Sequence, residues 1–433
     1  MSFEQKNMGE DKACPHSSKQ NCFDWYFCRK LTNMYRFSSL FILLILLGCQ
    51  SKKQLEQVAQ IAETVRQEFA PDKRVALFRI DTIISNRQLE IHGETTLPAA
   101  KNAFIDRLKK ANIEFVDSLR LLPASELGEK HLGVVNVSVC NIRSEPSHSA
   151  ELATQALMGA TLRVWKREGD FYLVQCPDDY FGWVDDGGFE LMTEPELKNW
   201  QNSARMMITS DFTFAYEKGD ENSQKTTDLV AGDIVQYLAS LGAFNKIRLP
   251  DGRTGFIRDS DAMPLDRWLK TRNPIAENIL ATAREMMGRP YLWGGTSGKG
   301  MDCSGFTKMA YYLNGIELPR DASQQVNAGE TVDTDTSSLK NLKPGDLLFF
   351  GRKASPEKKE RITHVAMYLG NGKIIHASDR VKVESLVRGD SSFVEARLKS
   401  FVRSKRMIGM EGTKGVKRLS ESPYYNPGQD IKD

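Results

Sequence analysis

The chain has 433 residues, too many for one ordinary hydrophobic core, so two to four domains are expected. Apolar residues make up 40% and charged residues 27%, the mix of a folded globular chain rather than a disordered or fibrous one. The net charge is only +3. With no basic stripe of interleaved aromatics and no zinc-ligand spacing, a nucleic-acid binder is excluded.

The one long apolar run is Phe37 to Leu47 (FSSLFILLILL), 11 residues, whereas crossing a bilayer takes roughly 20. Arg36 precedes it and Gly48-Cys49 follows it, the layout of an export signal over 34–49. The competing reading is a buried helix beside an incidental cysteine. Leu46-Leu47-Gly48-Cys49 resembles a bacterial lipobox, which implies that Cys49 is lipidated and becomes the mature N-terminus. Residues 1–33 are polar and carry Cys14, Cys22 and Cys28. Because MYRFSSLFILLILLGC is a complete signal by itself, translation is expected to start at Met34, with 1–33 a gene-model extension. Gln50 after the cysteine is not an inner-membrane retention aspartate. The expected location is the cell envelope, anchored in an outer membrane and facing the periplasm.

Residues 50–130 read as a small α/β segment. Leu55, Val58, Ile61 and Val65 make a helical stripe over Gln54 to Phe69, ended by Pro71. Strands are expected over Arg74 to Ile84, Gln88 to Glu94 and Ile113 to Leu121. A helix is expected over Leu97 to Asn112 with Pro98 in its first turn. No chemistry is visible there.

Two similar segments follow, Gln155 to Val184 and Thr227 to Ile257. Gly159 to Gly182 and Gly232 to Gly255 are both 23 apart, so the repeat is in register. Short alternating strands with turn signals at this spacing predict two small β-barrels, over 131–198 and 199–265. Cys140 and Cys176 are expected as buried free thiols, with a disulfide in an oxidising envelope as the alternative.

The last domain is expected over 266–412, with a flexible tail over 413–433, glycine-, lysine- and serine-rich from Met410. Helices are expected over Ile275 to Met287 and Cys303 to Leu313. Lys343 to Asp346 is a turn into a strand over Leu347 to Phe350. His364 to Tyr368 and Lys373 to Ala377 read as a hairpin closed by Leu369-Gly370-Asn371-Gly372. Cys303 stands where the loop GGTSGKGMD gives way to the apolar helix CSGFTKMAYYL. A helix N-terminus favours thiolate, a histidine can take the thiol proton, and a third polar group can orient that histidine. His364 and His376 flank one turn almost symmetrically, so their rings are expected on one face. A packed cysteine and two surface histidines remain the alternative at this point. One Cys and two His lack a fourth ligand for a metal site.

Tyr-Leu-Trp-Gly-Gly at 291–295, Asp-Cys-Ser-Gly-Phe at 302–306, Leu-Pro-Arg at 318–320, Pro-Gly-Asp-Leu at 344–347, His-Val-Ala-Met-Tyr-Leu-Gly-Asn-Gly at 364–372 and Ile-Ile-His at 374–376 resemble the NlpC family of papain-like cell-wall cysteine peptidases. The repeat resembles the bacterial SH3-like domains that accompany such enzymes. The implied fold class is α+β: a papain-like catalytic domain preceded by two SH3-like barrels and the α/β segment. The resemblance is closest to dipeptidyl-peptidase VI-like γ-D-glutamyl-L-diamino acid endopeptidases. It implies hydrolysis of murein peptides with a free N-terminal L-Ala, without a cofactor, by a monomer. Cys303 would be the nucleophile, His364 the general base and His376 its orienting partner, with Tyr291 hydrogen-bonding nearby and the Cys303 N–H donating to the oxyanion.

A carboxylate beside a cysteine disfavours thiolate, so Asp302 is expected either to cap the helix or to hold the substrate's amine. Relatives use this aspartate for the amine, helped by a Glu and a Tyr of the first barrel, for which Glu151 and Tyr180 are the candidates. Ser304 is placed on the substrate side. Relatives often read Arg-x-Ser after Leu-Pro. Here Arg320-Asp321 is followed by Ala322 and Ser323, which leaves Asp321 as the polar contact. The alternatives are an endopeptidase on intact peptidoglycan and a non-catalytic peptidoglycan-binding lipoprotein.

Overall fold

The structure, a computed structural model, describes residues 52–425 apart from 87 and 336. The expected extension over 1–33, the expected signal over 34–49 and Cys49 lie outside the described residues.

In the N-terminal unit, helix α1 (52–69) buries Val58 and Val65 of its stripe. Strands β1 (Phe78–Ser85) and β2 (Gln88–Thr95) pair antiparallel. Helix α2 (Pro98–Lys110) then crosses over to β3 (Val116–Leu121), which lies parallel to β2. Ile91, Phe104 and Leu108 fill the space between sheet and helices. The first strand starts at Phe78 rather than Arg74. Residues 71–77 instead form a link that docks on the neighbouring units: the Phe181 N–H donates to the Arg74 carbonyl at 2.8 Å.

The first barrel contains β4 (Leu132–Val135), β5 (Val139–Arg143), β6 (Leu152–Leu157), β7 (Thr161–Glu168), β8 (Phe171–Gln175), β9 (Phe181–Asp185) and β10 (Phe189–Met192), in the order β10-β4-β7-β8-β9-β5-β6. Helix α3 (Glu194–Asn202) follows, opened by a Thr193/Glu196 capping box. The second barrel contains β11 (Arg205–Ile208), β12 (Phe212–Tyr216), β13 (Lys225–Val230), β14 (Ile234–Leu241), β15 (Phe244–Arg248), β16 (Thr254–Arg258) and β17 (Ala262–Pro264), in the order β17-β11-β14-β15-β16-β12-β13. Replacing each strand of the first sheet by the one seven later reproduces the second order. The in-register repeat is therefore one topology used twice. The barrels touch where buried Asp233 accepts the Met158 N–H at 3.0 Å and the Val230 N–H at 2.8 Å. Cys140 and Cys176 are free and buried in the first barrel.

Helix α4 (Leu265–Thr271) leads to the C-terminal unit and its helix α5 (Ala276–Glu285). A short ladder, β18 (Thr296–Ser297) with β19 (Gly300–Met301), precedes α6 (Cys303–Tyr312). Then come β20 (Ile316–Glu317), α7 (Ala322–Gln325), β21 (Glu330–Val332), β22 (Leu347–Arg352), β23 (Arg361–Gly370), β24 (Lys373–Ala377), β25 (Val381–Ser385), α8 (Glu395–Ser400), β26 (Phe401–Arg406) and β27 (Lys417–Arg418). The main sheet runs β21-β26-β22-β23-β24-β25. Phe306, Met309 and Ala310 of α6 join Val365, Met367 and Ile375 in one core. Leu348, Phe350, Ala366, Tyr368 and Ile374 point the other way into a second core with Leu398 of α8. This alternation is the period-two pattern of a sheet covered on both faces.

Two features hold the units together around the cysteine loop. The outer strand β6 of the first barrel is covered by that loop: the Thr296 N–H donates to Gln155 Oε1 at 3.0 Å and the Thr296 hydroxyl to the Gln155 carbonyl at 2.9 Å. This closes a free sheet edge. Lys308 of α6 is buried between Glu317 and Asp178 of the barrel, 3.1 Å from the latter.

The tail expected to fray from Met410 is instead packed as far as Tyr425. Val416, Leu419 and Tyr425 are buried, β27 pairs with β20, and the Tyr425 carbonyl accepts Arg205 Nη2 at 3.0 Å. Its glycines serve turns between buried apolar anchors.

Candidate active site

Asp302 opens α6 as its N-cap, accepting the Gly305 N–H at 2.7 Å. A Cβ on Gly305 would stand 2.0 Å from the Gly295 carbonyl oxygen, so only glycine lets the helix start this close to the loop. Cys303 is thereby the first helical residue and 7% exposed. Burial, then the Asp302 charge, pushes its thiol up to about 11; the Val365 and Ser304 N–H groups act in the opposite sense. The thiol thus lies against β23 at the Val365 N–H, one residue along the strand from His364, and burial favours its neutral form.

His364 of β23 and His376 of β24 meet as expected. His364 Nε2 and His376 Nδ1 are 2.9 Å apart, with the ring planes perpendicular. The register pairs Met367 with Ile375, so the two histidines are diagonal neighbours on one face rather than directly opposite. Burial first, then the Arg397 and His376 charges, holds His364 well below the usual histidine range. Burial lowers His376 too. With Nε2 of His364 taken by His376, Nδ1 is the nitrogen left for the thiol.

Sequence reading missed three residues behind this pair. Glu384 of β25 puts Oε2 3.0 Å from His376 Nε2, off the axis of a well-aligned hydrogen bond, so the contact is chiefly electrostatic. Lys382 Nζ lies 3.0 Å from Glu384 Oε1, and Arg397 Nε lies 3.4 Å from Oε2. Their signal is faint: two charges two apart on the strand after the Ile-Ile-His motif.

Arg320 was also missed. It is 1% exposed and forks onto Asp302, Nη2 to Oδ2 at 2.6 Å and Nη1 to Oδ1 at 3.1 Å. It also donates to the Ser304 hydroxyl at 3.1 Å and the Thr154 hydroxyl at 2.9 Å. Asp302 further accepts the Gly294 N–H at 3.0 Å and the Ser304 hydroxyl at 3.1 Å. Five donors occupy its two oxygens, so the carboxylate is charge-balanced from within the protein. Ser304, expected on the substrate side, is buried in this cluster.

Tyr291 is half-buried near Cys303. Burial, then the charges of Cys303 and Asp302, raises its hydroxyl pKa. Glu151 is exposed and accepts the indole N–H of Trp293 at 2.6 Å, beside the cysteine loop. Tyr180 and Asp321 are brought together, hydroxyl to Oδ2 at 3.1 Å. Arg74 joins them, donating to Asp321 Oδ2 at 2.7 Å and to the Ser323 hydroxyl at 2.8 Å. The N-terminal segment, in which the sequence showed no chemistry, therefore reaches this cluster. Among the described residues, no group of three or more His, Cys, Asp or Glu side chains has metal-holding geometry.

Residues 288–403 match the NlpC/P60 family, and residues 142–188 match the bacterial dipeptidyl-peptidase Sh3 domain. The γ-D-glutamyl-L-lysine dipeptidyl-peptidase of Bacillus subtilis is 33% identical over 234 residues, 52% of this chain and 72% of that protein. Its namesake in Bacillus cereus is 30% identical over 239 residues, 53% of this chain and 68% of that protein. The crystal structure of an NlpC/P60 family protein from Bacillus cereus superposes with a TM-score of 0.53 at 24% identity, over 64% of this chain and 99% of that one, and so shares the fold. Identity at this level over two thirds of each relative, together with the cysteine-bearing helix on a histidine-bearing sheet, places the chain in the NlpC/P60 family.

Proposed function

We propose that the chain is a cysteine peptidase that hydrolyses the γ-D-Glu to diamino-acid bond of murein peptides with a free N-terminal L-Ala. The observation that carries the chemistry is the His364–His376 contact at 2.9 Å on the strand whose next residue, Val365, meets the thiol of the helix-opening Cys303. The substrate class follows from the relatives named for γ-D-glutamyl-L-lysine dipeptides.

His364 Nδ1 takes the thiol proton as sulfur attacks the γ-carboxamide carbon. The C–N bond then breaks, and the same proton goes to the departing amine. Water activated at Nδ1 releases the acyl group. Burial favours the neutral form of both groups, so we assign proton transfer to the attack step rather than before it. The Cys303 N–H at the helix start and the Tyr291 hydroxyl are the donors we assign to the developing oxyanion. Glu151, exposed beside the cysteine loop, is the acidic group we assign to the substrate's amine, whereas Asp302 is already paired with Arg320. Tyr180, Asp321 and Arg74, joined by hydrogen bonds, are the polar cluster we assign to the far end of the substrate. We also propose that Cys49 is lipidated and tethers the enzyme to the outer membrane on the periplasmic side.

The test is to incubate the purified protein with L-Ala-γ-D-Glu-diamino-acid tripeptide and with its N-acetylated form. Cleavage of the free peptide alone is expected. Equal cleavage of both would favour an endopeptidase on intact wall, and cleavage of neither a non-catalytic binder.

A further inference from the structure

We propose that Glu384 is a positioning residue that fixes which nitrogen of each catalytic histidine carries a proton. Two neutral rings that touch through His364 Nε2 and His376 Nδ1 at 2.9 Å share one proton in that contact. In one arrangement His364 Nε2–H donates to His376 Nδ1. His364 Nδ1 is then bare and can accept the thiol proton, and His376 carries its own proton on Nε2. In the other arrangement His376 Nδ1–H donates to His364 Nε2. His364 then carries its remaining proton on Nδ1, and the base is blocked.

The two arrangements differ at the far edge of His376, where Glu384 Oε2 lies 3.0 Å from Nε2. In the first arrangement an N–H faces a carboxylate, which is attractive even off-axis. In the second a bare lone pair faces the anion, which is repulsive. His376 is fully buried, so no solvent softens the difference.

Two details show that Glu384 is held for this task. The register places His376 opposite Lys382 and Ile374 opposite Glu384, so Glu384 reaches His376 diagonally across β24 and β25. Its oxygens are also pinned by Lys382 at 3.0 Å and Arg397 at 3.4 Å. His376 first, then Lys382, holds its carboxyl down to about 2, so it stays ionised throughout the working range. The same two cations balance its charge. They spare His364 the strong rise in basicity that an unbalanced carboxylate would cause, and the base stays neutral. Glu384 remains ionised through the cycle and takes no proton; only His364 Nδ1 gains and returns one.

The kinetic part of this proposal rests on the peptidase reading, whereas the tautomer itself does not. The direct test is the nitrogen-15 spectrum of the imidazoles in the full-length protein, assigned with His364→Gln and His376→Gln. The expected result is His376 protonated on Nε2 and bare on Nδ1. A proton on His376 Nδ1 would overturn the proposal whether or not the protein cleaves peptide. The second test is Glu384→Gln, whose amide can face Nε2 with either its oxygen or its NH2. This variant should populate both tautomers and lose at least about tenfold in kcat, the lower end of the loss seen when a partner behind a metal-bound histidine is removed. KM should stay within about twofold and Glu384→Asp should recover part of the rate. A Gln variant with the wild-type His376 signal and full kcat would refute the role.

Discussion

The buried ion pair under the nucleophile gives a prediction whose size follows from the geometry. Arg320→Met removes a guanidinium that is 1% exposed and makes two hydrogen bonds to Asp302, one to Ser304 and one to Thr154. Asp302, itself 6% exposed, keeps the Gly294 and Gly305 N–H groups and the Ser304 hydroxyl. Breaking a buried pair from one side costs about 3–5 kcal/mol because a charge is left uncompensated. Three surviving donors put this case near the lower end, about 3 kcal/mol. The assay is urea unfolding of wild type, Arg320→Met and the double variant Arg320→Met/Asp302→Asn. The single variant should lower the midpoint at an unchanged slope. The double variant, which keeps a capping oxygen but no charge, should recover at least about 1 kcal/mol through coupling of contacting residues. A single-variant cost below about 1 kcal/mol, or a double variant no more stable than the single, would refute the view that Arg320 exists to balance Asp302.

Three further outcomes are expected. Alkylation of Cys303 by iodoacetamide, read on its own peptide, should accelerate as pH rises toward about 11, the value to which burial pushes the thiol; a rate plateau at or below neutral pH would mean a resting ion pair with His364 instead. Glu384 has a folded pKa of about 2 against 4.5 for an unperturbed glutamate. Its depressed pKa stabilises the fold fully above about 4.5, and that contribution is lost as pH falls towards about 2. The stability gap between wild type and Glu384→Gln should shrink across that window, and a gap independent of pH would contradict the assignment. Truncation after Met410 removes buried Val416, Leu419 and Tyr425; at about 2 kcal/mol for each buried side chain, the shortened protein should melt well below the full chain, and equal melting would show the tail to be dispensable.

What could be read from the sequence was whatever has a local signature. The Leu-Gly-Asn-Gly turn between apolar strands announced the hairpin, and Asn371 and Gly372 adopt the positive φ values of 51° and 71° that such a turn needs. The Gly-rich loop before an apolar helix announced Cys303. The equal glycine spacing announced two barrels of one topology. Glu384 could not be found this way, because its meeting with His376 depends on the register of β24 on β25. Register is set by the core and the turns, not by the residues that happen to face each other. Arg320 lies 18 residues from Asp302 in a segment without periodicity, so nothing local pairs them. Arg74 is more distant still, 247 residues from Asp321, and its contact exists only because the N-terminal unit docks. The tail misled for a related reason: glycine, lysine and serine suggest fraying, while Val416, Leu419 and Tyr425, spaced along it, supply the burial that orders it.

Catalysis as proposed requires Cys303 to form a covalent bond to the γ-carbonyl of its substrate. Rapid acid quench of the enzyme mixed with L-Ala-γ-D-Glu-diamino acid, followed by mass analysis of the peptide that contains Cys303, measures this directly. An alanyl-glutamyl acyl group should appear on Cys303 at early times, decay as product forms, and be absent from Cys303→Ala, which should also turn over no substrate. Turnover by Cys303→Ala, or an acyl group on any other residue, would contradict the account.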